Sequence, residues 1–147
     1  MPEPTVLTLS TDGAAPNNQH ENKREAAVGY VVQKGSETLI KNGEYLGQGP
    51  EYTNNVAEYQ AVKLGAEKIV DSWDPKTIKL EIQTDSQLVV NQLLDNWNRD
   101  DDKTQRNYRE TIEVLSKFAG WNATQMSETK DNVMSVADDI ANEALDT

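Results

Sequence analysis

Thr77-Ile78-Lys79-Leu80-Glu81-Ile82-Gln83-Thr84-Asp85-Ser86-Gln87 changes its period in the middle. Ile78, Leu80 and Ile82 alternate with Lys79, Glu81 and Gln83, which marks a strand with one buried face. After Asp85 the alternation stops. Ser86 is a favourable helix cap, and Leu88-Val89-Val90 with Leu93-Leu94 begins an apolar pattern at helical spacing. A carboxylate between the carboxyl end of a strand and the start of a helix stands where open α/β sheets hold ligands. Asp85 therefore has two readings, helix cap or ligand, and its neighbours in the fold must choose between them.

Working outward, runs at 6–11, 26–33 and 38–46 read as strands. Asp12-Gly13 and Lys34-Gly35-Ser36 read as turns, so these strands form an antiparallel meander. The segment 14–25 is polar and reads as a loop. A helix capped by Asn54 or Asn55 runs to about Val70 and leads into the quoted strand. A helix over 86–96 follows, then an acidic turn over 97–102. A longer helix over 103–119 is stopped by Gly120. A short strand over 121–127 and a helix over 135–145 complete the chain. The order β-β-β-α-β-α-α-β-α predicts an α/β fold: a mixed five-stranded sheet, three strands antiparallel and two parallel, with helices on both faces.

The 147 residues suit a single domain over 1–147. There is no cysteine, so zinc-thiolate and iron–sulfur sites are excluded, and His20 is the sole histidine. No apolar run approaches the roughly 18 residues of a membrane span, and no signal-peptide core follows Met1. A soluble cytoplasmic protein is expected, with no membrane partner. The formal net charge is −11. Such a surface repels polyanions at long range, so a nucleic-acid partner calls either for a divalent cation to carry the contact locally or for a salty host cytoplasm, the weaker reading. Lysine, asparagine and glutamine are plentiful, unlike in a strongly salt-adapted chain.

Four carboxylates converge in this arrangement. Asp12 ends the first strand and Asp85 the fourth. As parallel neighbours about 4.8 Å apart, these strands would set the two side by side. Glu58 shares a helical stripe with Val62, Gly65 and Ile69, so it points toward the sheet, and Gly65 allows close approach. In the last helix, Asp138 flanks the apolar face of Val133, Val136, Ala137, Ile140, Ala141 and Ala144, whereas Asp139 lies nearly opposite and should be solvated. Clustered carboxylate oxygens without His or Cys suit Mg2+ or Mn2+ before zinc. Bare, they repel one another and raise their pKa values. Two ions about 3.5–4 Å apart can stabilise both the attacking and leaving oxygens of a phosphodiester displacement.

Ser10-Thr11-Asp12-Gly13, Thr53-Asn54-Asn55-Val56-Ala57-Glu58-Tyr59, Thr84-Asp85-Ser86-Gln87-Leu88-Val89 and Ala137-Asp138-Asp139-Ile140-Ala141-Asn142-Glu143-Ala144 resemble, in order and spacing, the motifs of ribonuclease H type 1. The resemblance covers nearly the whole chain. It implies the ribonuclease H-like fold and endonucleolytic cleavage of the RNA strand of an RNA–DNA hybrid, leaving 5′-phosphate and 3′-hydroxyl ends. It also implies that Asp12, Glu58, Asp85 and Asp138 hold two metal ions, Mg2+ or Mn2+. Thr53, Asn54, Asn55 and Gln87 resemble the hybrid-contacting residues, and the Asn and Gln amides can reach 2′-hydroxyls and minor-groove edges. A monomer is expected.

The chain also departs from the family's pattern. Many members carry a histidine in the loop before the last helix. The matching segment, 128–134, has none, lacks the usual arginine, and places Asn132 two positions early. Glu128 or Lys130 are the candidates to fill in, and His20 lies in the loop after Asp12. The basic, Trp-containing protrusion of some members is replaced by the short acidic Trp97-Asn98-Arg99-Asp100-Asp101-Asp102. Lys103, Arg106 and Arg109 form the nearest substitute, unless they pair with Glu110, Glu113 and the aspartates. Trp73, Trp97 and Trp121 read as packing or turn residues. Two alternatives stand beside hybrid cleavage: a silent hybrid-binding module of the same fold, and a nuclease for another duplex. A Ser-His-Asp hydrolase has little support, since the one histidine lies in a loop and no serine occupies a nucleophile turn.

Overall fold

The computed structural model describes residues 3–15, 25–95, 102–126 and 133–145. The elements are β1 (Thr5–Ala14), β2 (Glu25–Lys34), β3 (Glu37–Gln48), α1 (Asn54–Ser72), β4 (Ile78–Thr84), α2 (Gln87–Asp95), α3 (Asp102–Leu115), β5 (Gly120–Gln125) and α4 (Val133–Leu145), with a 3-10 turn at Pro75–Thr77 before β4. The sheet order is β3-β2-β1-β4-β5. β1–β2 and β2–β3 are antiparallel. β1–β4 and β4–β5 are parallel. The mixed five-stranded sheet expected from the sequence is therefore present, with β4 parallel to β1.

The period-two pattern of β4 does what it predicts. Ile78, Leu80, Ile82 and Thr84 are buried, while Lys79 is exposed and Glu81 and Gln83 are half-buried. Burying an Ile or Leu stabilises by about 1.5–3 kcal/mol, enough to hold the register of so short a strand. These residues join Leu7, Leu9, Val28, Tyr30 and Val32 against Tyr59, Val62, Ala66 and Ile69 of α1. Val89, Val90 and Leu93 of α2 and Val114 and Leu115 of α3 close this layer. A Cβ on Gly65 would lie 2.6 Å from a methyl of Leu9, so the close approach read from the sequence is real.

The opposite face carries α4. A Cβ on Gly29 would lie 2.2 Å from the Ala137 carbonyl oxygen and 2.7 Å from the Ala141 nitrogen. Gly29 alternates with inward Val28 and Tyr30 along β2, so α4 lies across the sheet from α1. Helices thus cover both faces.

Four local expectations change. Asp12-Gly13 is not a turn: β1 runs on to Ala14, pairing Gly13 with Val28 and Ala14 with Ala27. The cap of α1 is Thr53, not Asn54 or Asn55; its side chain accepts the Val56 N–H. α3 ends at Leu115 rather than 119. There the backbone tightens, with Lys117 N–H donating to Val114 O and Phe118 N–H to Leu115 O. Ala119 N–H then donates to Ile78 O at 2.9 Å, so sheet pairing takes over before a helix cap is needed. Gly120 is consequently the first residue of β5 and not a helix stop. Finally, α4 starts at Val133, two residues before the expected 135. His20, Trp97, Arg99, Glu128, Lys130 and Asn132 lie outside the described residues.

Candidate active site

The register of β1 and β4 builds the centre of the site. Pairing runs from Thr5–Ile78 to Thr11–Thr84. The next residue on each strand is Asp12 and Asp85, so both carboxylates leave the sheet at the same end. Asp12 is 4 % exposed, whereas Asp85 is exposed. Asp12 pairs with Gly29, whose face looks at α4, and its carboxyl is hydrogen-bonded to that of Asp138 on α4. Asp138 is half-buried and Asp139 exposed, as their positions on the helical wheel predict.

Glu58 arrives from the other face. Its Oε1 accepts the Gly13 N–H at 2.8 Å and its Oε2 accepts the Thr84 hydroxyl at 3.2 Å. One oxygen from each of Asp12, Glu58 and Asp85 lies within 4.8 Å of the others. Asp138 joins this trio through Asp12. The structure thus brings together all four carboxylates nominated from sequence, from two strands and two helices.

Their electrostatics follow from crowding. Asp12 is pushed up from its ordinary 3.8 to about 10, first by burial, then by the hydrogen bond with Asp138 and the charges of Glu58, Asp85 and Asp138. Glu58 is pushed up from 4.5 to about 7, first by burial and then by the charge of Asp85. The Gly13 N–H and Thr84 hydroxyl act against this rise by donating to the ionised form. Oxygen-only donors that repel one another this strongly fit a hard divalent cation, which removes the repulsion and suits carboxylate ligands.

The residues expected to contact a hybrid sit at two helix N-termini beside the cluster. Thr53 caps α1, and its Oγ1 accepts the Val56 N–H at 3.3 Å. Asn54 is exposed and Asn55 half-buried in the first turn of α1. Gln87 is exposed and opens α2. Helix N-termini present N–H groups and positive dipole ends, which favour anionic groups such as phosphate.

Two residues of the site were not singled out from sequence. Thr84 is fully buried and bonds Glu58. Its signal was its phase, since it continues the inward series Ile78, Leu80, Ile82, where a hydroxyl needs a partner. Asp12-Gly13 has the composition of a turn, but Gly13 is a point of close approach: a Cβ there would lie 2.6 Å from the Ala57 carbonyl carbon and 2.7 Å from the Glu58 nitrogen. Both are backbone atoms, so α1 itself would have to move. Gly13→Ala is expected to destabilise the fold by about 1–3 kcal/mol, the usual cost of overpacking. It should also shift Glu58, so thermal unfolding and metal-dependent activity are expected to fall together. An alanine variant matching wild type in both would contradict this.

On α3, one of the acidic residues that could have paired with the basic flank has a partner on another helix. Glu110 takes Lys63 of α1 at 2.7 Å, and Arg109 Nε donates to the Gln105 carbonyl at 3.4 Å. Arg106 is exposed. Trp121 packs against the core, and Trp73 ends α1, 39 % exposed.

Residues 4–143 match the RNase H family model. Ribonuclease HI of Halobacterium salinarum is 34 % identical over 127 residues, covering 85 % of this chain and 59 % of that protein. The chain therefore spans less than two thirds of the length of this relative. The crystal structure of RNase H1 from Halobacterium salinarum superposes with a TM-score of 0.81 at 32 % identity, covering 96 % of this chain and 98 % of that one. LC11-RNase H1, isolated from compost by a metagenomic approach and solved in complex with an RNA/DNA hybrid, shares the fold at a TM-score of 0.81 and 24 % identity, with coverage of 95 % and 96 %.

Proposed function

The chain belongs to the RNase H family, and from that premise we propose that it is a divalent-metal-dependent endoribonuclease that cleaves the RNA strand of RNA–DNA hybrids, leaving 5′-phosphate and 3′-hydroxyl ends. The observation that carries the reading is the trio Asp12, Glu58 and Asp85, whose ligand oxygens lie within 4.8 Å of one another at the end of the sheet. In this reading residues 1–147 work as one cytoplasmic, monomeric domain.

Asp12 and Asp85 would be the central holders of two Mg2+ or Mn2+ ions, with Glu58 and Asp138 completing the set. When bound, such ions supply Lewis acidity and lower the pKa of water toward neutrality. The chain's own contribution is placement. Asn54, Asn55 and Gln87 hold the hybrid at two helix N-termini, where amides can report a 2′-hydroxyl and so distinguish RNA from DNA. Thr53 keeps the first turn of α1 formed beneath them. Water is the nucleophile, attacking in line with the leaving 3′-oxygen. The acidic surface makes binding of a polyanion depend on the cation and on salt.

A hybrid with labelled RNA tests this directly. Cleavage with Mg2+ or Mn2+ is expected, with 5′-phosphate on the downstream fragment and no cut in the DNA strand. Hybrid binding without turnover under either ion would make the protein a binding module instead. Faster cleavage of double-stranded RNA than of hybrid would reassign the substrate.

A further inference from the structure

Thr84 is fully buried at the last position of β4, one residue before Asp85. Its Oγ1 accepts the Ser86 N–H at 3.1 Å. A threonine hydroxyl has one proton to donate, and here it goes to Glu58 Oε2 at 3.2 Å. The Ser86 hydroxyl in turn accepts the Val89 N–H at 3.2 Å and caps α2. One continuous set of bonds therefore runs from Glu58 on α1, through Thr84, to the turn that carries Asp85 and starts α2. The other Glu58 oxygen is held from β1 by the Gly13 N–H at 2.8 Å.

We propose that Thr84 is a positioning residue for the centre: its hydroxyl orients the Glu58 carboxylate toward Asp12 and Asp85 and thereby sets divalent-cation affinity. This rests on the metal-binding reading of the site. Glu58 also meets the Asp85 carboxylate, whereas Thr84 brings it a neutral hydroxyl donor. Without it, Glu58 keeps its Gly13 anchor and its contact with the Asp85 carboxylate, but Oε2 loses its bond to the end of β4. Bonds from a residue behind a metal ligand are commonly worth about 10–100-fold in metal affinity. At 3.2 Å this one is long for an O–H···O contact, which puts the expected effect near the lower end.

The test is cation titration of the folded protein, followed by calorimetry with Mn2+ and by the cation-induced rise in thermal midpoint. Thr84→Val keeps the branched shape and removes the hydroxyl. It is expected to weaken Mn2+ binding by about tenfold and to raise by a similar factor the cation concentration for half-maximal hybrid cleavage. KM for hybrid at saturating cation should be unchanged. Thr84→Ser should restore wild-type binding, which a merely structural role for the methyl group would not do. In a Glu58→Gln background, Thr84→Val should make no further difference. Should Thr84→Val fail to fold, Thr84→Ala carries the same comparison. Wild-type Mn2+ affinity in the variant lacking the hydroxyl, or failure of serine to rescue, overturns the role of Thr84 alone. Absence of Mn2+ binding by wild type overturns the metal reading and this role with it.

Discussion

Asp85→Asn is expected to leave a folded protein whose hybrid cleavage falls by at least about a thousandfold, which is roughly 4 kcal/mol of transition-state stabilisation. The size follows from position. Asp85 is the exposed member of the trio, at the mouth of the cluster rather than in its buried floor. An amide there removes one negative charge from the proposed cation site, while keeping shape and disturbing no core contact. Ser86, whose hydroxyl accepts the Val89 N–H, continues to cap α2, so the fold does not depend on the Asp85 carboxylate. Two further variants grade the fourth position. Asp138→Asn should reduce cleavage by less than Asp85→Asn, because Asp138 meets the trio only through Asp12. Asp139→Asn, on the exposed side of α4, should cleave like wild type. Steady-state rates with saturating Mg2+ and circular dichroism of each variant settle the matter. Undiminished cleavage by Asp85→Asn would end the proposed mechanism.

Asp12→Asn is expected to abolish cleavage and yet make the metal-free protein more stable at neutral pH. Asp12 is buried among three other carboxylates, and its folded-state pKa lies above its ordinary value, at about 10 against 3.8. The folded protein therefore binds a proton that the unfolded chain releases. Its contribution is fully present below about pH 3.8 and is lost as pH rises toward about 10. Glu58 adds the same slope between 4.5 and about 7. Metal-free wild type should thus lose stability as pH rises from about 4 to 8, and Asp12→Asn should lose much less. At about pH 8 the variant should be the more stable by about 1–3 kcal/mol, the order of an unsatisfied buried polar or charged group. At this chain length that is roughly 3–10 °C in thermal midpoint. Mg2+ should raise the wild-type midpoint and narrow the gap, because a ligand that binds only the folded state stabilises it. Thermal unfolding in chelator across this pH range, repeated with Mg2+, reads all of this. A variant less stable than wild type at pH 8 without metal would show that the cluster is not strained.

Much of the arrangement was legible because the relevant forces are local or periodic. The alternation of Ile78, Leu80 and Ile82 sets β4 and its buried face. The stripe through Glu58, Val62, Gly65 and Ile69 aims a carboxylate at the sheet, since a helix repeats every 3.6 residues whatever it packs against. The same wheel separates half-buried Asp138 from exposed Asp139.

Other features depended on contacts between distant segments. Gly13 read as a turn because glycine after aspartate usually is one; only the approach of α1 backbone to β1 explains its missing side chain. Gly120 read as a helix stop, but the Ala119 N–H had already been claimed by Ile78 O across the sheet. The closer partner of Lys63 could not be read from α1: Glu67 stands one turn on at 4.0 Å, but Glu110, at 2.7 Å, lies 47 residues away on α3.

By itself, then, the sequence determined the order and type of the strands and helices, which faces are buried, and which four carboxylates could meet at one sheet end, because backbone periodicity and apolar burial act residue by residue; where several of the elements begin and end depended on tertiary contacts. The tertiary structure alone decided how closely they meet. The parallel register of β1 and β4 puts Asp12 and Asp85 one step beyond the last pair, and the bonds of Gly13 and Thr84 hold Glu58 between them. That spacing depends on the pairing of strands and the packing of helices far apart in the chain, and it is what turns four acidic residues into one crowded cluster that could hold a divalent cation.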